Sequence, residues 1–266
     1  MKMIVCIKQV PDTTDVKINP ETNTLIREGM AGIINPFDLY AIEEALRLKE
    51  QFGGKVTVIS LGPPQSINAL KEAVGMGADE AIQLSDRAFA GSDSWSTSYT
   101  LALAIRKLDG FDVILCGKQA IDGDTGQVGP GIASQLGITQ LTYVFKIIRL
   151  KPEEGTITVE RLLEEGREIV EAELPALLTV VKDINSPRSA TLFHMRRASK
   201  LLIPTWSAAD LPGADSSKLG LRGSPTQVIK IFSPPRHEGS LDMIKADSVE
   251  ASAAILADKI IAEKVL

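Results

Sequence analysis

From residue 3 to residue 137, short Val- and Ile-rich runs alternate with longer stretches whose apolar residues recur at helical spacing. That alternation limits the fold more than any other feature, because strand–helix–strand repeats feed parallel strands through right-handed crossovers. "MIVCIKQV" (3–10), "KVTVISLG" (55–62), "EAIQLSD" (80–86) and "FDVILCG" (111–117) read as buried strands. "DLYAIEEALRLKEQF" (38–52), "SINALKEAVGMG" (66–77) and "SWSTSYTLALAIRKL" (94–108) read as the helices between them. Asp38 stands where an N-cap is expected, and Gly53-Gly54 closes that helix. The expected fold is α/β, a mostly parallel twisted sheet with helices on both faces.

The chain then changes character. "QLTYVFKIIRL" (140–150), "TITVERLLEEG" (156–166) and "REIVEAELPALLTVV" (167–181) read as antiparallel strands with glycine-containing turns, a small second layer or an edge extension. Residues 183–225 show little periodicity and are rich in Ser, Pro and Gly, too long for an ordinary loop. Such a segment wraps a partner or links elements. "SVEASAAILADKIIAEKVL" (248–266) reads as an amphipathic helix that docks on something. The expected organisation is an α/β unit with its extension over residues 1–182 and a partner-recognition loop with a C-terminal arm over 183–266.

Composition excludes several classes. A net charge of −5 argues against nucleic acid as the main partner, which is bound chiefly through Lys and Arg. Cys6 and Cys116 lie inside apolar runs without ligand spacing and read as buried small hydrophobes rather than metal ligands. His194 and His237 stand far apart, so a histidine acid–base or metal centre has little to build on. No run approaches 18 apolar residues, and the N-terminal run is too short for a signal peptide, so the expected location is cytoplasmic.

The chemistry concentrates in "GKQAIDGDTGQVGP" (117–130), between a strand and a small-residue helix. It matches neither G-x-x-x-x-G-K-[ST] nor G-x-G-x-x-G. A helix N-terminus still offers unpaired N–H groups and partial positive charge to an anion. Gly123, Gly126 and Gly129 allow close backbone approach. Asp122 and Asp124 bond loop amides, cap the helix or accept from ribose hydroxyls. The bland alternative is a capped strand-to-helix turn. In "FAGSDSWSTSYTLALAI", Gly91, Ser92, Asp93 and Ser94 precede a helix and either bind phosphate or cap it. Trp95 and Tyr99 share a helical face and read as core. "KQVPD" (8–12), "SLGPP" (60–64) and "GKQAIDGD" (117–124) fall where parallel sheets bind ligands, beyond the C-terminal strand ends.

Taken together, "VCIKQVPDT", "NPFDLYAIEEALRLKE", "VTVISLGPP", "MGAD", "GKQAIDGDTGQVGP" and "SPRSATLFHMRRASK" make the chain resemble the β subunit of electron-transfer flavoproteins over nearly its whole length. The resemblance implies an adenine-nucleotide-binding fold and an obligate α subunit carrying FAD. It implies a nucleotide pocket lined by Cys6, Asn35, Pro36, Phe37, Asp38, Leu61, Gly117, Lys118, Gln119, Ala120, Ile121, Asp122, Gly123, Asp124, Thr125, Gly126, Gln127 and Val128. Arg161 matches an arginine that lies toward the subunit contact. Leu192 matches a hydrophobic anchor for a flavin-containing dehydrogenase, with Phe193 beside it. "VPDTTDVKINPETNTLIREG", "FAGSDSWSTSYTLA" and "IDGDTGQVGP" are similar to forms in the electron-bifurcating group. That similarity implies FAD in the pocket, NADH as donor, and ferredoxin or flavodoxin as a second acceptor. The simple members hold AMP there instead. A non-redox nucleotide-binding regulatory protein is the reading from a different class.

Overall fold

The computed structural model describes residues 1–12, 32–229 and 241–263. Most of "VPDTTDVKINPETNTLIREG", and His237, lie outside the described residues. Strand β1 (Lys2–Ile7) leads into a two-stranded antiparallel pair, β2 (Gln9–Pro11) with β3 (Gly32–Ile34). Helix α1 (Pro36–Phe52), β4 (Lys55–Leu61), α2 (Ile67–Met76), β5 (Glu80–Leu84), α3 (Ser94–Lys107), β6 (Val113–Gly117) and α4 (Val128–Leu136) follow. The extension comprises β7 (Thr139–Lys151), β8 (Thr156–Leu163) and β9 (Gly166–Glu173). Then come β10 (Ala176–Val180), α5 (Leu192–Lys200), β11 (Thr205–Trp206), the one-turn α6 (Gly220–Gly223) and α7 (Val249–Ala262).

Nine strands form one sheet in the order β11-β5-β4-β1-β6-β10-β7-β8-β9. The strands from β11 to β7 pair in parallel, and β8 and β9 continue antiparallel from β7. The central strands are buried on both faces, which is why their sequences are continuous apolar runs rather than alternating ones. One face packs Val5, Ile7 and Val58 against α1 and α2. The other packs Ile4, Cys6, Ile59 and Cys116 against α3 and α4. The expected α/β sheet with helices on both faces therefore forms, and the antiparallel strands are an edge extension of the same sheet.

Two local expectations are corrected. "REIVEAELPALLTVV" is two strands, split at Leu174–Pro175. Pro175 has no N–H to continue a ladder. Beyond it, Ala176–Val180 is fully buried and lies parallel between β6 and β7, at the centre of the sheet rather than in the extension. The second correction falls in residues 183–225, expected to be irregular. They contain α5, whose N-cap Thr191 accepts a bond from the His194 N–H, and the edge strand β11. The nine residues of α5 are polar on average and bury only Ala198, so no core-facing apolar stripe marks it, although its apolar and charged positions do segregate at helical spacing.

The chain divides into two compact units, 1–229 and 230–266. In the second, the helix expected near the C-terminus forms as α7, capped by Ser248 and carrying exposed Val249, Leu256 and Ile261.

Candidate functional site

Leaving β1, the strand order runs one way to β4 and β5 and the other way to β6. That reversal is a topological switch point, where the connections diverge and leave a crevice beyond the C-terminal ends of β1 and β6. Cys6 and Cys116 are register neighbours at those ends. Both are buried, and the hydrogen bond shared with Cys6, together with burial, pushes the Cys116 thiol well up, so it is not poised as a thiolate. Leu61, at the end of β4, packs on the same cluster.

Gly117 ends β6 and opens the loop to α4. A Cβ there would sit 2.4 Å from Asp38 Oδ1 and 2.7 Å from Phe37, so only glycine lets β6 approach the start of α1 this closely. Asp38 is not the N-cap expected of it. The helix begins at Pro36, after Asn35, and Asp38 lies one turn in with its carboxylate buried. Lys8 N–H (2.7 Å), Asn35 Nδ2 (3.0 Å) and Gly117 N–H (3.2 Å) all donate to it. Burial lifts its pKa to about 7, against the pull of those three donors. Asn35 is buried too, and it copies a backbone pairing with the loop. Its Nδ2 donates to Gln119 O (2.8 Å), and its Oδ1 accepts from the Ile121 N–H (3.1 Å). Lys118 is fastened through its N–H to Val180 O, and its ammonium stands 5.0 Å over the Phe37 ring.

The two loop aspartates meet side chains rather than the helix end. Lys8 Nζ donates to Asp122 at 2.6 Å, and Gln119 Nε2 donates to Asp124 at 2.7 Å. Asp124 N–H and Gly123 N–H both turn back to Ala120 O. Asp124 (φ 51°) and Gly126 (φ 63°) are left-handed, a conformation that Asp tolerates and Gly favours. Gly123 faces open space, whereas Gly129 is small because a Cβ there would meet Thr179 Cγ2 at 2.6 Å. Gln127 precedes α4 without a side-chain cap, Pro130 has no N–H, and among the described residues no group accepts from the Val128 or Gly129 N–H. The result is a cradle with unspent amides at a helix N-terminus.

The structure brings Ser94 to this loop, with its Oγ donating to Thr125 Oγ1 at 3.2 Å. It gives the rest of that stretch other partners. Asp93 caps α3 by accepting from the Trp95 and Ser96 N–H groups, and its second oxygen accepts from Thr226 N–H and Oγ. Ser92 Oγ donates to Phe89 O, and Gly91 packs against Leu221. Tyr99 is core as expected, while Trp95 stacks on it at 5.8 Å and stays partly exposed.

Arg161 lies on β8, where Nε donates to Thr142 O (2.7 Å), Nη2 to Thr142 Oγ1 (2.8 Å) and Nη1 to Glu168 (3.0 Å). It thereby braces the strand just before Tyr143, a left-handed residue (φ 57°) at the bulge between β7 and β10. Tyr143 N–H donates to Thr179 Oγ1 (3.0 Å), and Thr179 is the residue against which Gly129 packs. Tyr143 and Thr179 carry no functional signal in the sequence, whereas Lys8 carries a positional one as the head of "KQVPD", just past the first strand. Leu192 (86% exposed) and Phe193 (76%) stand out from the first turn of α5. Among the described residues no three His, Cys, Asp or Glu side chains converge as a metal site, and no helix is long and apolar enough to cross a membrane.

A doubly wound parallel sheet with a glycine cradle at its switch point defines the nucleotide-binding class of α/β proteins. Comparison with known proteins narrows the class. The electron transfer flavoprotein domain matches residues 22–211. The electron transfer flavoprotein subunit beta of Megasphaera elsdenii is 47% identical over the full length of both chains. Protein FixA of Azorhizobium caulinodans is 46% identical over 99% of this chain and 93% of its own. The caffeyl-CoA reductase–Etf complex subunit CarD of Acetobacterium woodii is 46% identical over 98% of each chain. The chain belongs to the electron transfer flavoprotein β-subunit family.

Proposed function

We propose that this chain binds FAD at the switch-point cradle and, paired with an α subunit, divides electrons from NADH between a flavin-containing dehydrogenase and ferredoxin or flavodoxin. The observation that carries FAD over AMP is the meeting of Ser94 with Thr125, 3.2 Å apart. It joins the start of α3 to the glycine loop, so the cradle runs past a single phosphate site. The free amides at α4, the open face of Gly123 and the left-handed Asp124–Gly126 turn suit the diphosphate of a dinucleotide.

FAD held there would supply the capacity to take an electron pair from NADH and to release electrons singly. The protein's part is to hold and orient. Asn35 and Asp38 tie the loop to β1 and α1, and the Lys8–Asp122 pair fastens its outer turn. That chemistry requires no acid–base or metal residue of the protein. The name of CarD, a subunit of a complex with a CoA-thioester reductase, supports an acyl-CoA type of dehydrogenase as partner. Leu192 and Phe193 are the proposed docking contacts, so Leu192→Ala is expected to slow transfer to the dehydrogenase with flavin content intact. Unchanged transfer kinetics would remove that assignment.

The division of electrons is tested anaerobically with the reconstituted complex. NADH oxidation is expected only when an acyl-CoA dehydrogenase with its enoyl-CoA and ferredoxin are present together. Full-rate oxidation with the dehydrogenase alone would contradict the proposal and favour a simple carrier.

A further inference from the structure

Helix α1 buries two glutamates, Glu43 and Glu44, and a buried carboxylate is costly unless donors meet it. The donors come from the segment that leads into α5. Asn185 Nδ2 donates to Glu44 Oε2 at 2.9 Å and to Tyr40 O at 3.0 Å. Arg188 does more. Its Nε and Nη2 donate to the two oxygens of Glu43 at 2.8 and 3.0 Å, and its backbone N–H adds a bond of 3.1 Å. Its Nη1 and Nη2 donate to the two oxygens of Glu50 at 2.5 and 3.2 Å. Glu43 and Glu50 lie two turns apart on one face of α1. One guanidinium therefore forks onto two carboxylates, a geometry that only arginine can satisfy.

Three residues after Arg188, Thr191 caps α5. At the far end, Arg197 Nη2 donates to Asp79 O. Between these ties the segment lies over α2, where Gly75 leaves room. A Cβ there would sit 3.3 Å from Ala190 and 3.8 Å from Met195. The helix itself has nine residues and buries only Ala198. Helices this short are marginal without tertiary support, which α5 finds by packing on α2, with Ala198 in the core and Met195 and Ala190 against Gly75, and in the polar ties. The polar ties, of which Arg188 makes the most, add to that packing at the N-terminal end of the helix, the end that aims Leu192 and Phe193 outward.

We propose that Arg188, clasped by Glu43 and Glu50, is a positioning residue that holds α5 in its docking-competent arrangement. This rests on the reading of Leu192 and Phe193 as the docking face. An unclasped segment samples other conformations, and apparent affinity falls in proportion to the competent fraction. The clasp touches neither the glycine loop nor its braces, so nucleotide content is unaffected.

The test uses the αβ complex with an acyl-CoA dehydrogenase as probe partner. Wild type, Arg188→Ala, Arg188→Lys and Leu192→Ala are compared by hydrogen exchange over residues 189–200, KM for the dehydrogenase, kcat and bound nucleotide. For Arg188→Ala, faster exchange confined to 189–200 and a KM raised about tenfold are expected, with kcat and nucleotide unchanged. Arg188→Lys is expected not to restore either. Leu192→Ala is expected to raise KM while leaving exchange as in wild type. If Arg188→Ala does not fold, Glu50→Gln breaks the exposed half of the clasp and is expected to show the same pattern at smaller size. Wild-type KM in the clasp variants, beside a raised KM in Leu192→Ala, would overturn the positioning role alone. A wild-type KM in Leu192→Ala would overturn the docking reading and the proposal with it.

Discussion

At the scale of single residues, Asp38 shows most clearly how the site is held. Its carboxyl joins the end of β1, the first turn of α1 and the end of β6 through three donated bonds. Its ordinary value is 3.8, and burial raises it to about 7 in the fold. A carboxyl that holds its proton more tightly folded than unfolded contributes stability present in full below about 4 and lost as pH rises through about 7. Asp38→Asn removes that titration. Urea midpoints measured from pH 4.5 to 8 are expected to fall with pH in wild type relative to the variant. Parallel curves would contradict the assignment. The variant also turns an amide toward the Lys8 N–H, so at pH 7 it is expected to lose one hydrogen bond, about 1 kcal/mol. Asp122 makes a separate case. It is paired with Lys8 at the loop's edge, so Asp122→Ala is expected to speed nucleotide release several-fold while changing the unfolding free energy by less than about 0.5 kcal/mol. Release at the wild-type rate would show that the pair does not brace the loop.

At the scale of elements, legibility follows from how each element is stabilised. Strands β1, β4, β5 and β6 and helices α1 to α3 were readable because burial writes itself into long apolar runs and helical periods. Strand β10 was misread as a continuation of β9, although Pro175 and the run Ala176–Val180 carried the signal of a buried parallel strand. Helix α5 was missed because its largest apolar residues, Leu192 and Phe193, face outward and its packing on α2 runs through small residues such as Ala198 and Gly75. The cradle was readable as a loop but not as geometry. Asp38 reads as a cap in sequence, and only the fold shows Gly117 arriving beside it. The three glycines of the loop looked alike yet differ. Gly126 answers a backbone angle, Gly123 faces open space, and Gly129 lets α4 lie on β10. Gly129→Ala would therefore drive a methyl into Thr179. A loss of about 1–3 kcal/mol in unfolding free energy is expected, with weakened nucleotide retention. Wild-type stability would show that α4 can shift without cost.

At the scale of the whole molecule, the switch point between β1 and β6 places the cradle at the sheet's centre, while α5 presents Leu192 and Phe193 from the helical layer of α1 and α2. Arg161, Thr142, Tyr143, Thr179 and Gly129 form a contiguous set of contacts from the extension to α4. The proposed occupant of this cradle is a flavin. The most direct test is the purified αβ complex, its flavin counted by absorbance and its released nucleotides separated by chromatography. Two FAD per heterodimer and no AMP are predicted. One FAD with one AMP would contradict the claim.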